Sequence, residues 1–129
     1  MNTNDLYKRI EKIVTDALKS GQNVEETIEK NVEEITKKFF EEGTKSKEEI
    51  EKIIVDGAKK TKEETKDNVN ATGAAVKGML KGAKEGAELS KDAAMDVFNA
   101  VLKSSILMGL DLMKIPKLMF DSFKESLKK

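Results

Sequence analysis

The side chains of this sequence that could do chemistry are serines, lysines and carboxylates, because histidine and cysteine are both missing. Nucleophilic catalysis needs a base held against a hydroxyl or a thiol. Lys103 and Ser104 have suitable types, but no glycine-rich strained turn accompanies them. The sequence therefore predicts no catalytic residue and no enzyme activity.

Paired carboxylates occur at Glu33-Glu34 and at Glu48-Glu49, each with a lysine three or four residues further on. This spacing is typical of a solvated helix face. Carboxylate metal sites in helical bundles also recruit Glu-x-x-His pairs, which this chain cannot supply. The glycines at 78, 82 and 86 fall inside a helical pattern rather than in a phosphate-binding loop. We therefore expect no metal and no cofactor.

The charge balance gives no reason to expect a nucleic acid, since 24 cationic and 24 anionic side chains cancel. Arg9 is the only arginine, whereas readers of phosphates and base edges rely on arginine forks. Residues 1–68 carry 14 cations and 17 anions, and residues 69–129 carry 10 and 7. The resulting charges of −3 and +3 favour attraction within a chain or between chains.

Residues 1–68 are predicted to form three capped amphipathic helices. Gly21 suits the left-handed stop of the first helix, Asn23 the N-cap of the second, and Ser46-Lys47-Glu48-Glu49 a capping box for the third. Apolar residues at helical spacing form the three stripes: Leu6, Ile10, Ile13, Val14, Ala17 and Leu18; Val24, Ile28, Val32, Ile35 and Phe39; Ile50, Ile53, Ile54 and Ala58.

Residues 69–115 are predicted to form one unit, a long helix that begins after a break at residues 70–73 with Thr72 available as its N-cap. A glycine inside a helix costs roughly 0.5–1 kcal/mol of stability relative to alanine, so three of them require a compensating interaction. Close approach of another helix supplies it. We expect one of the chain's own helices to pack there. The alternatives are a helix of a second subunit or of a partner, or no packed helix at all, in which case the segment is only marginally helical until it binds a surface. The ridge of small residues comprises Ala74, Gly78, Gly82, Gly86, Ser90 and Ala94.

The C-terminal third is rich in methionine and phenylalanine, which form soft, adaptable apolar surfaces. These residues are either core, a subunit interface or a surface-binding face flanked by Lys103, Lys114, Lys117 and Lys124. Pro116 breaks the helical pattern, so residues 116–129 are predicted as a short amphipathic helix. The candidate contact residues are Phe98, Val101, Leu102, Ile106, Met113, Met119, Phe120 and Phe123.

Residues 60–105 resemble the phasins and the late-embryogenesis-abundant proteins. The likeness lies in Lys/Glu/Ala-rich amphipathic helices without cysteine and in a Gly/Ala-rich middle, Ala83-Lys84-Glu85-Gly86-Ala87-Glu88, before an apolar tail. Phasins coat polyester storage granules, and the second group protects membranes and proteins during drying. The resemblance implies a peripheral protein that binds a lipid or polymer surface.

The sequence thus predicts one all-α domain, a bundle of four to five amphipathic helices with one long Gly/Ala-ridged helix. We expect a non-catalytic scaffold that self-associates, or docks a protein partner, through its C-terminal helices. The alternative is attachment to a membrane or granule surface. The longest stretch without a charge, residues 68–76, is too short to cross a bilayer, and no apolar leader opens the chain, so we expect the cytoplasm.

Overall fold

The structure is a computed structural model that describes residues 1–107, and these residues form five α-helices without a strand. Helix α1 spans Thr3–Ser20, α2 Val24–Glu41, α3 Lys47–Glu64, α4 Val69–Gly86 and α5 Lys91–Leu107. The predicted all-α bundle of four to five amphipathic helices is confirmed.

Two of the three helix ends predicted in the first half have the expected geometry. Gly21 ends α1 in the left-handed conformation, φ 68°, and its N–H donates to the carbonyl oxygen of Ala17. Ser46 and Glu49 form the capping box of α3, with 3.2 Å from the Glu49 backbone nitrogen to Ser46 Oγ. Asn23 stands at the N-cap position of α2 as predicted, since the Thr27 N–H donates to its carbonyl at 2.9 Å, but its left-handed backbone, φ 46°, leaves its side chain without the expected capping hydrogen bond.

The turn between α3 and α4 lies several residues earlier than the predicted break at residues 70–73. Lys66 and Asp67 are both left-handed, and Asn68 caps α4 by accepting from the Ala71 nitrogen at 3.0 Å. Thr72 is not the N-cap. It lies buried inside α4, where its hydroxyl donates to the Asn68 carbonyl at 2.8 Å.

The single long helix predicted for residues 69–115 is also corrected, because residues 87–90 separate α4 from α5. Glu88 stands in the left-handed region, φ 53°, and reverses the chain there. Residues 87–90 contain neither glycine nor proline, and Gly86 before them continues the four-residue spacing of the helical glycines, so the helical pattern of the sequence continues through the turn. The remainder of that prediction, and the short helix predicted for residues 116–129, lie outside the described residues.

Ion pairs near helix ends show how two pairs of helices run relative to each other. The N-terminal amine of Met1 lies 3.1 Å from Glu42, which brings the start of α1 to the end of α2. Lys47 and Asp96 pair at 3.0 Å, so α3 and α5 start at the same end of the bundle. Short connections between antiparallel neighbours are the usual arrangement of helical bundles.

Helix α4 is the centre of the bundle. Residues 71–80 are buried without exception, and α4 contacts each of the other four helices. All five helices contribute to one apolar core. Its largest fully buried side chains are Leu6, Ile10, Ile28, Ile50, Ile54, Met79, Val14, Val32, Val76 and Val97.

Candidate functional site

The glycines of α4 lie so close to α2 that no side chain fits between the two helices. A β-carbon at Gly78 would stand 2.6 Å from the carbonyl oxygen of Glu29. One at Gly82 would stand 2.6 Å from the carbonyl oxygen of Glu33 and 2.7 Å from Thr36 Cβ. Real β-carbons do not approach backbone atoms this closely, so glycine is required at both positions.

Gly86 continues the same contact one turn further on. A β-carbon there would collide with the carbonyl oxygen of Lys37 and lie 3.0 Å from Phe40 Cβ. The residue numbers of the contacted α2 positions increase together with those of the glycines, so α2 and α4 run parallel. The helix that closes the ridge is therefore α2 of the same chain, the first of the alternatives that the sequence left open.

The ridge is shorter than the sequence predicted. Ala74 belongs to it as a buried residue of α4, but Ser90 and Ala94 lie beyond the turn at residues 87–90. Ser90 is exposed and accepts a hydrogen bond from the Ala93 nitrogen at 3.1 Å, as an N-cap of α5 does. Ala94 is buried as part of α5. The turn removes both from the line of glycines.

Charged residues surround the α2–α4 contact on its outer side. Glu29 of α2 lies 2.7 Å from Lys81 Nζ and 3.6 Å from Lys77 Nζ, and the Lys77 side chain is only 10% exposed. Burial raises the pKa of the nearby Glu33, and Glu85 adds to this effect by repulsion. These charges lie between two helices of one chain, so they strengthen an internal contact rather than form a binding site.

The apolar residues predicted as contacts on α5 divide into two groups. Phe98 and Val101 are buried in the core, and Leu102 is half-buried against it. Ile106 is 56% exposed and lies in the last turn of α5. The other four predicted contact residues, Met113, Met119, Phe120 and Phe123, lie outside the described residues.

Ile106 and Leu107 together form an exposed apolar end of α5, here named the C-terminal patch. Leu107, which the sequence analysis did not single out, is 81% exposed. Leu18 of α1, at 37%, is the other exposed large hydrophobic residue in the described part of the chain. Helical spacing could not reveal the exposure of Ile106 and Leu107, because a nearly all-apolar sequence does not show which face meets the core.

Two of the carboxylates considered for chemistry, and the buried hydroxyl of Tyr7, have structural roles. Glu49 belongs to the capping box of α3, and Glu33 lies against α4. The buried hydroxyl of Tyr7 donates to the Ile53 carbonyl at 3.2 Å, and burial followed by repulsion from Asp56 raises the pKa of Tyr7 to about 12. No three His, Cys, Asp or Glu side chains within residues 1–107 are grouped to hold a metal ion.

Among the helices described here, none is both long and apolar enough to span a bilayer. Comparison of the chain with protein-family models, with curated proteins and with solved structures found no match. The arguments for a function therefore come from the residues and contacts of this chain.

Proposed function

We propose that this protein is a non-catalytic helical scaffold that self-associates through its C-terminal region. The observation that carries the proposal is the C-terminal patch, where two large apolar side chains at the end of α5 are left to solvent. Burying one such side chain in an interface contributes roughly 1.5–3 kcal/mol. Two adjacent ones form the start of a contact surface.

The sequence that follows the C-terminal patch also favours this region as the site of association. Residues 108–120 include many further apolar side chains among few charges. The glycine ridge, the other candidate surface, is already filled by α2 and offers nothing to a second molecule. The region starting at the C-terminal patch is thus the better candidate for association.

A lipid or polymer surface is the second candidate partner for the same region. Lys103 lies on α5 one turn before Ile106 and is exposed. Further lysines follow in the sequence at 114, 117 and 124. Lysines beside exposed apolar residues favour an interfacial position, with the charged ends in the headgroup layer. This is the phasin-like alternative that the sequence resemblance implies.

The experiment is a mass measurement by light scattering over a range of protein concentrations, combined with flotation on neutral and on anionic vesicles. The test variant is Ile106→Ser with Leu107→Ser, whose exposed positions leave the core intact. The matched control is Leu18→Ser, an exposed apolar residue on a different helix. Circular dichroism establishes that both variants remain folded.

We expect the wild-type protein and the Leu18→Ser control to form dimers or larger species, and the double variant to dissociate at the same concentration. Flotation of the wild type, lost in the double variant, would favour the lipid-surface alternative instead. A wild-type protein that stays monomeric and ignores vesicles would refute both.

A further inference from the structure

We draw no further inference here: the strongest candidate, the exposed apolar end of α5 formed by Ile106 and Leu107, carries nothing beyond the function proposed above, because nothing in the described part of the chain shows what covers it.

Discussion

Helix α4 has two interfaces built on opposite principles. Its contact with α2 depends on missing side chains, since Gly78, Gly82 and Gly86 let the two helices meet closely. Its contact with α5 is smaller, because α5 packs chiefly on α3, and large buried side chains such as Phe98 and Val101 fill the space beneath α5. An interface of glycines tolerates no added atom, whereas an interface of large side chains tolerates no removed one. The two contacts should therefore respond to opposite kinds of substitution.

The largest expected effect comes from removing a large buried side chain of α5. Phe98→Ala should lower the free energy of unfolding by about 3–5 kcal/mol, because a buried ring leaves a cavity. Urea unfolding followed by circular dichroism measures it. Asn99→Ala, at an exposed position of the same helix, serves as control and should change little. Similar losses at the two positions would mean that α5 is not seated as described.

Adding a side chain at the α2–α4 glycine contact should have the next largest effect. Gly82→Ala places a β-carbon 2.6 Å from the Glu33 carbonyl oxygen, so α2 must move. Overpacking of this kind costs about 1–3 kcal/mol, in spite of the better helix propensity of alanine. Gly43→Ala is the control, because its added atom meets nothing within 4 Å. If Gly82→Ala stabilised the protein, close approach of α2 would be refuted.

The ion pairs at the two interfaces should also differ in strength. Glu29→Ala leaves Lys77 nearly buried without its partner, which should destabilise by about 1–3 kcal/mol. Asp96→Ala breaks the exposed pair with Lys47 between α5 and α3, which should change the stability much less, because water screens both charges. Thermal unfolding at low and at high salt compares them. A greater loss in the Asp96 variant would reverse the assignment of the tighter interface.

The smallest effect is pH-dependent and concerns Glu33 on the α2 side. Its folded pKa is raised, chiefly by burial, so its contribution to stability is present at low pH and is lost as the pH rises through that pKa. Glu33→Gln removes this loss. The variant should therefore gain slightly over wild type at pH 7, and the gain should shrink as the pH falls below the ordinary glutamate pKa. A gain that grew in acid would contradict the sign.

Much of the fold could be predicted because its signals are local. The capping box at Ser46 and the left-handed stop at Gly21 each depend on a few adjacent residues whose types determine the backbone. The turn at Glu88 has no such signal, since glutamate is a helix former and Glu88 nevertheless adopts the left-handed conformation. The sequence therefore predicted one helix where the structure has two.

The candidate site was predictable only in part. The spacing of the glycines indicated a close helix contact, but a stripe of small residues does not identify the helix that fills it. The apolar residues of α5 were recognised, but their division into buried Phe98 and exposed Ile106 depends on where α5 lies against α3 and α4. Tertiary packing decides such questions, and a single sequence does not contain its geometry.

The measurement that tests the account most directly is amide hydrogen exchange followed by mass spectrometry at several protein concentrations. If association runs through the C-terminal region, peptides covering residues 103–129 should gain protection as the concentration rises. Peptides from residues 78–86 should be equally protected at every concentration, because α2 of the same chain covers them. Protection that rises with concentration in residues 78–86, and not in residues 103–129, would contradict the account.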